Sequence, residues 1–256
     1  MTAIDIAAIV GAAAWLPQIG TWIYRAVVTP RLEFVPAPAP ELGFTSLGPI
    51  LNIRAALSCG RKDAIVENMR IVLRHERGRE IELTWASLNE TISQIRGAGG
   101  ETTDVSKWQP AIALKLSTLT LVEKLIGFQD TRFHSDERAL VLAVVEHHNH
   151  LKKTRADFAD ETLRSKQFAD LIDFHRRSMC WEVGRYNMTA FIHVIGMKRP
   201  TTRKWQFSLV GADIERLQQN VEEVARYSRE TIVPPPLDAR RDYLWNWINP
   251  ALESIP

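Results

Sequence analysis

Three histidines crowd into the stretch Glu146-His147-His148-Asn149-His150, and no other part of this 256-residue chain comes as near to metal chemistry in residue type and spacing. Neutral imidazoles are common ligands of zinc, and three protein ligands plus a water make a hydrolytic centre. The spacing meets that need only in part. On a strand His148 and His150 share a face while His147 points away; on a helix His147 and His150 converge. Either arrangement needs help from Glu146, His134 or His175, and the HExxH pattern of helical zinc sites is absent. His147, His148 and His150 are therefore the candidate ligands of an alternative reading, a metal-dependent hydrolase. The simpler reading is a polar turn with incidental histidines.

Other catalytic signatures are missing. There is no G-x-S-x-G elbow, and neither Cys59 nor Cys180 sits in a motif that would pair it with a histidine. The same two cysteines make neither a disulfide scaffold nor a closely spaced metal pair. Gly97-Ala98-Gly99-Gly100 has the glycine content of a phosphate-cradling loop but lacks its Gly-Lys-Ser/Thr ending. No cofactor is expected. The acidic residues, Glu161, Asp170 and Glu182 among them, show no spacing that selects an acid/base pair.

Two groups of residues suit binding instead. Lys198, Arg199, Arg203 and Lys204 form a basic hairpin loop beside Trp205, which could meet phosphates or a protein partner. The chain as a whole carries 32 Lys+Arg against 30 Asp+Glu, a net +2 that gives no general attraction to nucleic acid. Near the C-terminus Trp245 and Trp247 belong to a segment with too much apolar area for a free tail, and they are candidate contact residues.

The elements that must position these residues read mainly as β-strands. Leu51, Ile53, Ala55 and Leu57 alternate with Asn52, Arg54 and Ala56, and the pattern returns over residues 65–75 and 81–85. Short polar connections make this a three-strand antiparallel meander. Ile112, Leu114 and Leu116 alternate too, and residues 118–128 suit a strand or two. The apolar run Ala139–Val145 reads as a central buried strand. Residues 88–95 are ambiguous: Leu88, Ile92 and Ile95 fall at helical spacing, and Ser87 with Glu90 fits a capping box.

After His150 the charge density rises, and Phe168, Leu171, Ile172, His175 and Met179 fall at helical spacing, so a helical insertion is expected near 154–182. Residues 186–194 and 205–209 resume alternation as a second hairpin, followed by an amphipathic helix near 213–228. The expected fold is mainly β, an immunoglobulin-like antiparallel sandwich comprising residues 32–256, preceded by a hydrophobic N-terminal helix over 1–31.

Ile6 to Tyr24 carries no formal charge and, at about 1.5 Å per helical residue, approaches the roughly 30 Å of a bilayer core. Asp5 before it, with Arg25 and Arg31 after it, favours a cytoplasmic body. The alternating pattern Val35–Pro40 reads as a semi-rigid spacer, with an edge strand over 32–34 as its alternative. The sequence thus predicts a single-pass, membrane-anchored, non-enzymatic sandwich that presents a protein-interaction surface. A soluble cytoplasmic structural domain, with the first helix packed in its core, is the further alternative.

Overall fold

A computed structural model of the chain describes residues 14–24, 28–96 and 102–255, with backbone alone over 91–96 and 102–106. Period-two alternation becomes strand wherever it is strong. β3 (Gly48–Gly60) turns Leu51, Ile53, Ala55, Leu57 and Cys59 inward. β9 (Gly184–Val194) and β10 (Thr201–Leu209) form the expected second hairpin and add Tyr186, Met188 and Trp205 to the same core. On β4 (Ala64–His75) a register shift between Val66 and Asn68 keeps both Val66 and Met69 facing that interior.

Among the described residues all strands belong to one sheet. Its path runs β1 (Arg31–Pro36), β3, β8 (Val122–Gln129), β5 (Glu80–Arg96), β4, β9, β10 and β11 (Glu253–Ser254). β2 (Glu41–Thr45), β6 (Thr102–Pro110) and β7 (Leu114–Leu116) anneal to β3, β5 and β4. Strand twist accumulates along this path until the sheet curls over its own apolar face. Phe34 of β1 and Trp205 of β10 therefore meet edge to face, ring centroids 5.8 Å apart, across the core.

The C-terminal segment bridges the gap that the curl leaves. Leu42 of β2 and Ile248 exchange backbone hydrogen bonds of 2.9 and 3.0 Å, and the Leu252 N–H donates to the Pro38 carbonyl at 2.7 Å. Glu253 and Ser254 then pair with Gln206 and Trp205 of β10.

Helices cover one end and part of the outer face. Residues 14–24 are helical (α1). The layer proper is α2 (Thr131–Thr154), α3 (Phe158–Arg164), α4 (Lys166–Ser178) and α5 (Gly211–Ile232). The Asp130 carboxylate accepts from the Arg132 N–H at the start of α2, and Ser165 Oγ accepts from the Phe168 N–H at the start of α4. Val144 of α2 packs with Phe168 and Leu171 of α4. Phe44, Phe133 and Val224 form the joint between β2, α2 and α5.

Several expectations are corrected. The immunoglobulin-like, mainly β sandwich gives way to a single curled, open sheet with helices, 36% helix and 38% strand. The chief cause is Ala139–Val145, which lies within α2: Val144 is buried while Leu142 and Val145 face solvent, a helical rather than two-sided strand pattern. The first meander is only half right. β4 and β5 pair, but β3 and β4 do not, because β8 enters between β3 and β5. The strand offered as the alternative over 32–34 is present within β1, which also takes in Val35 and Pro36 from the expected spacer.

The membrane anchor is overturned as well. Among the described residues no helix is long and apolar enough to cross a membrane; the described part of α1 covers residues 14–24, too short to span a bilayer core of roughly 30 Å. Membrane association through residues 6–24, single-pass localisation and the orientation drawn from flanking charges fall with it; residues 6–13 lie outside the described residues. The described part of this helix does not join the core either: Trp15 is 63% and Trp22 73% exposed.

Candidate functional site

The histidines of α2 are placed by a helix and do not assemble. His148 Nδ1 donates to Thr162 Oγ1 at 3.1 Å, and Thr162 in turn donates to the Phe158 carbonyl at 2.7 Å, so His148 fastens α3 to α2. His147 is half-buried and His150 exposed. Among the described residues no three His, Cys, Asp or Glu side chains are grouped to hold a metal ion. The hydrolase reading has no structural basis there. His175 is remote from that cluster in sequence and buried against Phe133; its Nε2 lies 2.8 Å from Glu137, while its Nδ1 is buried without a partner.

A second polar knot surrounds Tyr186 inside the sheet. Its hydroxyl accepts from the Glu182 N–H at 2.8 Å, and His75 uses both ring nitrogens, accepting from the Arg77 N–H and donating to the Val183 carbonyl. Burial pushes the Cys180 thiol and the Tyr186 phenol up to about 12 each. The Arg79 guanidinium, 2.7 Å from Glu182, holds that carboxyl below its usual range. A thiol kept protonated and a histidine with both nitrogens engaged make a structural corner rather than a nucleophilic pair.

The basic residues split. Lys198 and Arg199 lie in the turn between β9 and β10, whereas Arg203 and Lys204 are successive residues on β10 and so point to opposite faces. Lys204 borders an outer-face groove of about 650 Å³ with Arg70 and Arg74. Both arginines are already paired, Arg70 with Glu82 at 3.1 Å and Arg74 with Glu80 at 2.9 Å.

The tryptophans do converge. Trp245 and Trp247 form one wall of an outer-face cleft of about 390 Å³, and Trp108 of β6 stands in the lining as well. Its floor is a cross-strand row. Register places Asn52 of β3 beside Gly127 of β8, and Gly127 beside Ser87 of β5. Gly127 lets the row pack closely: a Cβ there would lie 2.5 Å from Ser87 Oγ and 3.1 Å from the Trp108 ring. Gln129 and the β2–β3 turn complete the lining, which contains no ionisable side chain.

Packing fixes the wall. Trp247 lies against Gly43, where a Cβ would approach its ring to 2.6 Å. Trp245 stacks on Tyr243 with centroids 6.0 Å apart, and the Arg226 guanidinium sits 4.5 Å from the Tyr243 ring centroid. Between the two tryptophans, fully buried Asn220 of α5 clamps the backbone of Asn246, donating to its carbonyl and accepting from its N–H at 2.8 Å each. One amide side chain thus plays the part of a strand partner.

Recognition groups remain unused at the surface of this cleft. Among the described residues the indole N–H groups of Trp108, Trp245 and Trp247 have no hydrogen-bond partner; those of Trp245 and Trp247 are not sealed from solvent, and Trp108 is exposed. Asn52 Nδ2 donates to Glu41 at 3.2 Å, leaving its Oδ1; Gln129 Oε1 contacts His134 Nε2 at 3.1 Å, leaving its Nε2. Sequence reasoning singled out Trp245 and Trp247 but missed Trp108, Asn52, Ser87 and Gln129. The only local signal was an isolated tryptophan at the end of a polar strand.

Comparison of the chain with protein-family models, with curated proteins and with solved structures returned no match.

Proposed function

We propose that the protein is a small-ligand binding domain and that the cleft between Trp108 and the Trp245–Trp247 wall is its site. The observation that carries this reading is the convergence of three indole rings with unused N–H groups on a cleft lined by no ionisable side chain, where Asn52 and Gln129 each keep one end of the amide free beside the Ser87 hydroxyl. Ligand sites typically combine apolar walls with a few fixed polar groups in about 300–1,000 Å³, and this one holds about 390 Å³. Its ligand is uncharged, because no cation or anion in the lining would offset the desolvation of a charge. It has a flat apolar face for the indoles and hydrogen-bonding groups at its edge.

The reading is tested with full-length protein labelled with 5-fluorotryptophan, whose eight tryptophans give separate fluorine resonances assigned by single substitution. Neutral fragments added one at a time are expected to shift Trp108, Trp245 and Trp247 and to leave buried Trp85, Trp181 and Trp205 in place. Fragments that bind without moving the three cleft resonances overturn the assignment.

A further inference from the structure

Resting on that reading of the cleft, we propose that its ligand is a neutral carbohydrate, held with pyranose rings against the indole faces. Three observations select this class. The unused groups of the floor are of both kinds: Asn52 Oδ1 accepts, Gln129 Nε2 donates, and Ser87 Oγ can do either. A ligand must therefore bring donors and acceptors at close spacing, which is what adjacent sugar hydroxyls do. A proline-rich segment, the other common occupant of tryptophan grooves, offers carbonyl acceptors with few N–H donors and leaves the Asn52 oxygen unmatched.

The indoles also present single faces. Trp245 is backed by Tyr243 and Trp247 by Gly43, so each offers a platform rather than a slot. The C–H face of a pyranose, with its slight positive charge, matches the negative face of such a platform and needs no partner on its other side. The lack of ionisable lining excludes phosphorylated sugars and acidic glycans, which would instead be drawn toward Lys204 on the outer-face groove.

Gly127 then sets spacing. With no side chain there, Ser87 Oγ, the Trp108 ring and Asn52 Oδ1 all close in on position 127, which holds a hydroxyl, an indole and an amide oxygen within reach of one sugar ring.

The test is a glycan microarray probed with the full-length protein, followed by titration of the fluorotryptophan form with the glycans bound and, in parallel, with adenosine and a proline hexapeptide. The expected result is binding to a subset of neutral glycans with shifts at Trp108, Trp245 and Trp247. Trp108→Ala should weaken that binding at least tenfold, and Gln129→Met, which keeps the side-chain length, should also weaken it. A Lys204→Ala variant should bind as the parent does. Thermal melting of each variant establishes that it is folded.

Glycan binding that survives Trp108→Ala, binding of acidic glycans alone, or no glycan bound overturns the carbohydrate assignment. If adenosine or the peptide shifts the three cleft resonances and no glycan does, the cleft remains a ligand site with a different ligand. If no compound shifts them, the cleft assignment fails too.

Discussion

Asn220 holds more of the cleft than its size suggests. Its amide supplies both hydrogen bonds to Asn246, and the side chain is fully buried, so removing it leaves a backbone N–H and a carbonyl without partners. A buried group left unpaired costs about 1–3 kcal/mol. Asn220→Ala is therefore expected to lower unfolding free energy by about 2–4 kcal/mol in urea titration and to weaken cleft binding; a loss within experimental error would show the clamp to be idle.

Two glycines give a sharper residue-scale contrast. A Cβ at Gly43 would meet the Trp247 ring at 2.6 Å, whereas one at Gly60 would find Arg31 Cβ at 3.8 Å. Overpacking costs about 1–3 kcal/mol. Gly43→Ala should destabilise by that amount and shift the Trp247 emission, while Gly60→Ala should be near neutral in the same denaturation assay.

At the scale of elements, the segment bearing Trp245 and Trp247 has no regular structure of its own and depends on α5 and β2. Arg226 is its second tether: it pairs with Glu223 at 2.6 Å, donates to the Asp242 carbonyl at 3.0 Å and stacks on Tyr243. Arg226→Met should raise amide exchange across 241–248 while the β4–β9 amides stay protected. Equal protection in both proteins would assign the tether elsewhere. Local opening of this kind is expected where few apolar contacts hold a segment.

The same scale shows what the sequence made legible. Residues 186–194 and 205–209 declare a hairpin because their buried residues alternate without interruption. Ala139–Val145 does not declare itself, since a short continuous apolar run fits a buried strand and a helix alike. The helical signal outside the run is the Asp130 cap with buried Phe133 and Leu151.

The β3–β4 pairing was misread for a different reason. A tight turn suggests hairpin neighbours, but Asp63 accepts from the Thr118 N–H at 2.9 Å, tying the turn to the loop ahead of β8. β7 then pairs with β4 and β8 with β3, a long-range choice that local spacing does not encode. The candidate site suffered likewise. Trp245 and Trp247 were visible as surplus apolar area, whereas Asn52, Ser87 and Gln129 become neighbours only through that strand order.

For the whole molecule, the buried acids of the Tyr186 corner set the alkaline limit. Cys180 rises from 9.0 to about 12 and Tyr186 from 10.0 to about 12, both through burial. A raised pKa means that the folded state holds its proton more tightly, so this stability is whole below about pH 9 and drains as pH climbs toward about 12. Melting temperature should accordingly fall across that window, and the Cys180 thiol should stay inert to alkylation at pH 8 until the protein unfolds. Rapid labelling of the native thiol would contradict its burial. On the acid side Glu182, lowered by Arg79, works in the opposite direction, its contribution fading as pH drops below the carboxylate range. That pair is partly solvated, so its share is small.

Close packing at position 127 also couples the bottom of the cleft to its wall. Alanine or serine placed there would meet Ser87 Oγ at 2.5 Å and the Trp108 ring at 3.1 Å, so both would be pushed aside while backbone hydrogen bonds hold β3, β8 and β5 together. One added carbon would thus re-aim an indole from beneath, at a point that no ligand need touch.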